Sequence, residues 1–248
     1  MLGVVHTSSD LDLLRISARV VGEVHREVKK IIKPGVQTLA LEEVANEIIF
    51  SNNCIPSFKG YKGYPYTTCI SINKGIVHGF PSKYVLREGD VVSFDVGAYN
   101  GLHGDAAFTM IVGEANNKID TLLVKTTESC LIEAIGIAKE GTTTGALGNI
   151  IETTANASGF DVVKNYVGHG IGRELHEFPQ IQNYGKVEEG LILTTGMCIC
   201  IEPMLVFESS TNITLDNGWE VVTYNGNNSA HFEHQVIIHK DYAEIISV

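Results

Sequence analysis

The feature that most constrains this chain is that it repeats itself. Lys33, Gly35, Thr38 and Leu41 recur 106 positions later as Lys139, Gly141, Thr144 and Leu147, and Val44 is answered by Ile150. The string REGDVVSFD (87–95) aligns with TTGMCICIE (194–202) at an offset of 107, with glycine on glycine, Phe94 on Ile201 and Asp95 on Glu202. His78-Gly79-Phe80-Pro81 is echoed by His176-Glu177-Phe178-Pro179. Each match alone is weak, but three in the same order predict a duplicated helix–helix–strand unit. No Pro/Ser/Gly-rich linker divides the copies, so one domain over 1–248 is expected, with halves at about 10–112 and 120–240.

Within each half the elements follow from periodicity. Leu11, Leu14, Ala18, Val21, Val28 and Ile32 are spaced for an amphipathic helix over 10–32, with Ser8, Ser9 and Asp10 offering its cap and Pro34-Gly35 its stop. A second helix follows Thr38, and 120–139 and 145–157 read the same way. The stretch SFDVGAYNGLHGDAAFT (93–109) reads as strands Val91–Val96 and Leu102–Val112 around a turn at Tyr99-Asn100-Gly101. A hairpin centred on Asn100 sets Asp95 directly opposite Asp105, which is unfavourable without compensation. A two-residue Asn-Gly turn would instead pair Asp105 with Val96, on opposite faces; a three-residue loop or a bulge at Gly104 restores one face.

With 44% hydrophobic residues the chain can bury a sizeable core. Its 18 basic against 29 acidic residues, net −11, argue against binding to nucleic acid or anionic membranes. Five cysteines (54, 69, 130, 198, 200) form no CxxC pair and read as buried free thiols of a reducing cytoplasm. Neither a secretion signal nor an apolar run of membrane-spanning length is seen, so a soluble cytoplasmic protein is expected.

An acid that recurs at the equivalent strand end of both halves points to a shared site. Asp95, Asp105, His169 in the glycine-rich loop GHGIGRELHEFP, Glu202 before Pro203 and Glu233 in AHFEHQVII are its candidates. On that last strand, alternation places His231, Glu233 and Gln235 on one face. Four carboxylates and an imidazole cannot cluster bare at low dielectric, and divalent cations would resolve the repulsion. Oxygen-rich ligation with one histidine suits Mn, Fe, Co or Zn, and two bridged ions are the usual hydrolytic arrangement.

In order and spacing, DVGAYNGLHGDAAFT, GHGIGRELHEFPQI, IEPM and HFEHQV resemble the metal-binding motifs of type I methionine aminopeptidases, and the similarity spans essentially the whole chain. The resemblance implies an α+β pita-bread fold, a curved antiparallel sheet backed by two pseudo-symmetric helix pairs. It implies two divalent metals on Asp95, Asp105, His169, Glu202 and Glu233, and removal of N-terminal methionine ahead of a small second residue by a metal-bridged hydroxide. Glu202 would handle the water proton, and His78 and His176 would contact the scissile peptide and its oxyanion. Tyr61, Tyr64, Cys69 and Trp219 would form the methionine pocket, and Asn73 and Ser229 match positions that hold a monovalent cation in some relatives. The implied partners are N-terminal peptides of newly made proteins, met at the ribosome by a monomer; no ribosome-docking extension is seen. Three departures stand out: Leu175 where many relatives carry an aromatic residue, which could loosen the fit around methionine, Phe178 in place of a second acid, and Gly97 where threonine is frequent. His103, His231 and His234 read as packing or as partners of the ligands. The rival readings are a prolidase or aminopeptidase P, which usually carries a substantial N-terminal domain; a type II enzyme, which needs a helical insertion between His169 and Glu202; and a pita-bread module without catalysis.

Overall fold

The computed structural model describes residues 3–248. Four helices carry the amphipathic segments: α1 Ser8–Ile31, α2 Thr38–Ser51, α3 Lys118–Ile137 and α4 Thr144–Ala157. The cap of α1 is Thr7, just ahead of the expected residues. Its hydroxyl accepts from the Asp10 N–H while the Asp10 carboxylate accepts from the Thr7 N–H, satisfying two donors that the first turn leaves free.

The strands in chain order are β1 Ile55–Pro56, β2 Thr68–Ile72, β3 Gly75–Val77, β4 Val91–Tyr99, β5 His103–Ile111, β6 Phe160–Val162, β7 Gly168–Gly170, β8 Glu177–Ile181, β9 Cys198–Ile201, β10 Met204–Phe207, β11 Asn212–Thr214, β12 Val221–Thr223, β13 Ser229–His231, β14 Glu233–Ile238 and β15 Ala243–Ile245. Among the described residues, nine strands make one antiparallel sheet: β1-β4-β5-β14-β9-β7-β8 in order, with β2 on β4 and β15 on β14. Two three-stranded sheets, β13-β10-β6 and β11-β12-β3, complete the architecture. All four helices share one core with the large sheet, in which Val24, Leu41, Leu131 and Leu147 meet Phe94, Phe108 and Ile199.

The repeated residues occupy repeated places. Gly35 and Gly141 both adopt positive φ (91° and 87°), and their N–H groups donate to the Leu86 and Leu193 carbonyls at 2.8 and 2.9 Å. Thr38 and Thr144, the first residues of α2 and α4, donate N–H to Tyr84 and Leu191. Gly89 and Gly196, at φ 81° and 90°, likewise each open a strand pair. These glycines recur because each closes a turn that a side chain would strain. The His-x-Phe-Pro strings do not share a local structure: His78 follows β3 at φ 59°, whereas His176 leads into β8.

The hairpin register differs from the direct pairing of the two aspartates. Tyr99 pairs with His103 across a three-residue loop, so Asp95 lies opposite Ala107 and Asp105 opposite Gly97. The acids are therefore diagonal neighbours on one face, which eases but does not remove their repulsion. Helix α1 holds the loop. Ser17 Oγ donates to the Leu102 carbonyl at 2.7 Å, and the Asn100 N–H donates to Ser17 Oγ. A Cβ on Gly104 would fall 2.5 Å from the Ala18 nitrogen, so only glycine lets the helix backbone seat on the strand. Gly104→Ala is expected to destabilise by about 1–3 kcal/mol, read by chemical denaturation, because backbone on both sides cannot yield cheaply.

His25 on α1 is buried beneath the same hairpin, edge-on to Phe108 at 4.8 Å, with Nε2–H donating to the Ala106 carbonyl at 3.1 Å. Burial, then Lys29 and His234, push its pKa down to about 3 from an ordinary 6.5. Below pH 6.5 the unfolded chain binds this proton and the folded chain does not, so stability falls as pH falls from 6.5 towards 3. The expected slope is at most about 1.4 kcal/mol per pH unit, and His25→Gln, which keeps a donor without the titration, should flatten the melting-temperature profile over that window.

Candidate active site

Strand alternation builds the floor of the site. Phe94 and Val96 turn into the helix-facing core, which turns Asp95 to the opposite face; Gly104 against α1 does the same for Asp105. His169 stands on β7, not in a loop as its glycine-rich surroundings suggested. Gly168 and Gly170 admit neighbouring backbone, since their Cβ atoms would lie 2.3 Å from the Cys200 carbonyl oxygen and 2.6 Å from that of Phe178.

Glu202 and Glu233 sit where two strands change sheets. β9 passes into β10 at Glu202-Pro203, and β13 passes into β14 at Phe232. The expected continuous strand through His231 and Glu233 is thus broken, because Pro203 has no N–H to continue the ladder and its carbonyl accepts from the Phe232 N–H at 3.3 Å. His234 pairs with Ile201 and His231 with Met204, and carrying that register through the break places Glu202 across from Glu233.

The side chains converge. The His169 Nδ1–H donates to the Gly170 carbonyl at 2.9 Å, leaving Nε2 at 3.5 Å from Glu202 Oε1 and 4.0 Å from Asp105 Oδ2. His231 Nε2 lies 3.4 Å from Glu202 Oε2. Donor atoms of Asp105, His169, Glu233 and Cys200 all fall within 4.8 Å of one another. Asp95 Oδ1, Asp105 Oδ1, Glu233 Oε1 and His231 Nε2 are buried with no hydrogen-bond partner among the described residues. Burial first, then neighbouring carboxylates, drive Asp105 and Glu233 well above the usual carboxylate range; burial likewise lifts Asp95 and Glu202 to about 7 each. Burial also pushes His169 and His231 below the usual imidazole range, against the pull of Glu202 and Asp95 respectively. Orphaned acid oxygens beside imidazole nitrogens are a poor protein interior and a good cation site, so the residues present fit divalent metals.

One cleft of about 1040 Å³ takes in Asp95, Asp105, His169, Glu202 and Glu233 together with His78 and His176. Tyr61, Tyr64, Cys69 and Trp219 line it too, and the Tyr64 ring meets Trp219 edge-on at 5.1 Å. The Tyr64 hydroxyl is already committed, donating to the Thr68 and Gly79 carbonyls, so the ring offers the cleft an apolar surface. Leu175 is buried in the same apolar cluster, while Phe178 stays 42% exposed at the rim. Gly97 has a local reason: a Cβ there would lie 2.7 Å from that of Ser57 and 2.8 Å from the ring of Phe58. His176 Nδ1 is 2.7 Å from the Tyr61 hydroxyl, and its ring centre is 4.3 Å from that of His169. Lost hydration and His169 push His176 down to about 3, and lost hydration and His231 push His78 to about 4. His103 Nδ1 meets Ser57 Oγ at 2.9 Å, and His234 Nδ1 meets Ser247 Oγ at 3.0 Å.

Supporting residues were not singled out from sequence. Gln235 accepts the Asp105 N–H at its Oε1 and donates from Nε2 to the His103 carbonyl. Buried Glu42 accepts from the Thr67 and Thr68 N–H groups just before Cys69, and Asn183 donates to the Glu202 carbonyl. Only the alternation that put Gln235 on the face of Glu233 carried any hint of this. Nothing in the sequence set Cys200 apart from the other thiols.

Residues 12–240 match the profile of metallopeptidase family M24. Methionine aminopeptidase 1 of Bacillus subtilis is 41% identical over 242 residues, 97% of each chain, and the Clostridium perfringens methionine aminopeptidase is 39% identical over 99% of this chain and 98% of its own. A crystal structure of the Thermotoga maritima methionine aminopeptidase superposes with a TM-score of 0.97 at 42% identity, covering 99% of both chains. Prolidase from Pyrococcus furiosus shares the fold at 22% identity and a TM-score of 0.80, with 99% of this chain matching 65% of that one. The chain belongs to metallopeptidase family M24 and has its pita-bread fold. Within that family its relatives at 34–41% identity are the methionine aminopeptidases, and it is one of their group.

Proposed function

We propose that this chain is a metal-dependent hydrolase that removes the N-terminal methionine from newly made proteins and peptides whose second residue is small. The observation that carries the site assignment is the convergence on one cleft of buried carboxylate oxygens that have no partner among the described residues. Asp95, Asp105, His169, Glu202 and Glu233 would hold two divalent ions, Co, Mn, Fe or Zn. Bound there, the ions supply Lewis-acid stabilisation of negative charge and an activated water at neutral pH.

The chain's own groups do the rest. Glu202, between His169 and His231, takes up the proton of the attacking water at its carboxylate and delivers it to the leaving amine. With the Tyr61 hydroxyl donating to His176 Nδ1, His176 Nε2–H is free to donate to the developing oxyanion, and His78 takes the peptide-nitrogen side. Tyr61, Tyr64, Cys69 and Trp219 receive the methionine side chain. We read 1–248 as one catalytic domain made of two halves, about 10–112 and 120–240. A monovalent cation is assigned near Asn73 and Ser229, where Ser229 Oγ is buried without a partner among the described residues and its N–H reaches the Asn73 carbonyl. We further propose a cytoplasmic monomer acting on nascent chains at the ribosome, without contacting nucleic acid or membrane; no helix among the described residues is long and apolar enough to cross a membrane.

Exhaustive chelation is expected to abolish activity and Mn, Co or Fe to restore it. The assay uses Met-Ala-Ser beside Xaa-Pro peptides, with the released residue identified. Activity in metal-free protein would sink the two-metal reading, and release from Xaa-Pro alone would point to prolidase chemistry.

A further inference from the structure

The five proposed ligands are all oxygen or imidazole donors, yet a sixth donor of different character stands among them. Cys200 is fully buried, with 0% of its surface exposed. It precedes Glu202 by two residues on β9 and pairs across the sheet with His169 on one side and Gln235 on the other. Its Sγ belongs to the same cluster, within 4.8 Å, as the donor atoms of Asp105, His169 and Glu233. Ligands of one tetrahedral ion stand roughly 3.3–3.8 Å apart, given metal–ligand bonds of about 2.0–2.3 Å. The four atoms are therefore a small closing movement from a single shell.

A lone thiol would mean nothing here without its neighbours. Asp105 Oδ1 and Glu233 Oε1 are buried, in residues only 3% and 2% exposed, and neither has a hydrogen-bond partner among the described residues. The other sulfurs are placed differently. Cys198, next on the same face, receives the Gln235 Nε2–H at 3.3 Å. Cys69 lines the apolar end of the cleft, and Cys54 and Cys130 lie in the main core.

We infer that Cys200 is a sulfur ligand to the ion held by Asp105, His169 and Glu233, so that this metal centre has a soft donor and prefers thiophilic ions. The inference rests on the two-metal reading above. On coordination the thiol gives its proton to solvent and its sulfur a lone pair to the ion. A thiolate selects zinc, cobalt or iron(II) over manganese or magnesium, which favour oxygen. Cys200 is thereby a determinant of which metal the enzyme carries.

The test loads wild type, Cys200→Ser and the control Cys69→Ser with cobalt(II), recording near-ultraviolet absorption and cobalt stoichiometry together. Thiolate-to-cobalt charge transfer is expected in wild type and Cys69→Ser and absent from Cys200→Ser, with equal cobalt bound in all three. In competition between zinc and manganese, Cys200→Ser should lower the zinc preference by about 10–100-fold, the scale on which metal sites respond to loss of a supporting group. Cobalt-loaded wild type without the charge-transfer band overturns the inference, whether or not the variant folds, and leaves the two-metal reading intact. Wild type that binds no cobalt at all overturns both.

Discussion

Glu202→Gln is expected to lower kcat by about 10³-fold or more, the largest single loss from a change that keeps side-chain size. The glutamine removes a proton acceptor worth typically 10²–10⁴ and one negative charge from the ion site. Glu202 is placed for both tasks, with Oε1 at 3.5 Å from His169 Nε2 and Oε2 at 3.4 Å from His231 Nε2. Single-turnover rate and metal content measured on the same sample separate them. Normal metal with collapsed turnover assigns the proton role, whereas loss of both assigns ligation. A mutant turning over at the wild-type rate removes Glu202 from the chemistry.

His176→Ala is expected to lower kcat by about 10²–10³ with bound metal unchanged, the usual cost of losing one donor to developing negative charge. The ring stands at the cleft beside His169, is held neutral at physiological pH, and is oriented by the Tyr61 hydroxyl at 2.7 Å. Tyr61→Phe should therefore reproduce a smaller part of the loss, because it frees the ring without deleting it. If His176 is scaffolding instead, melting temperature falls and the kcat of the folded fraction stays near that of wild type.

The candidate site was legible in the sequence to the extent that its parts lie on regular elements. Asp95 and Glu202 recur at equivalent positions of the two repeated apolar strings, which the sequence alone shows. Residues whose role depends on a distant neighbour were not legible: Glu42 accepts hydrogen bonds from Thr67 and Thr68, and Gln235 spans Asp105 and His103. Their side chains are ordinary polar residues until the sheet brings those partners within reach.

By itself the sequence determined the four helices and the apolar strands that carry Asp95, Asp105 and Glu202. Period and capping are local properties that a short window contains. Tertiary structure decided the rest. The diagonal offset of Asp95 and Asp105 follows from a three-residue loop clamped by Ser17 and from Gly104 seated on α1. Glu202 faces Glu233 because two strands leave the large sheet at one level, where Pro203 interrupts the ladder. Cys200 joined the donor cluster through its pairing with His169, a neighbour 31 positions away in sequence and adjacent only across the sheet. Such register is set by packing between remote segments, so no local pattern along the chain records it.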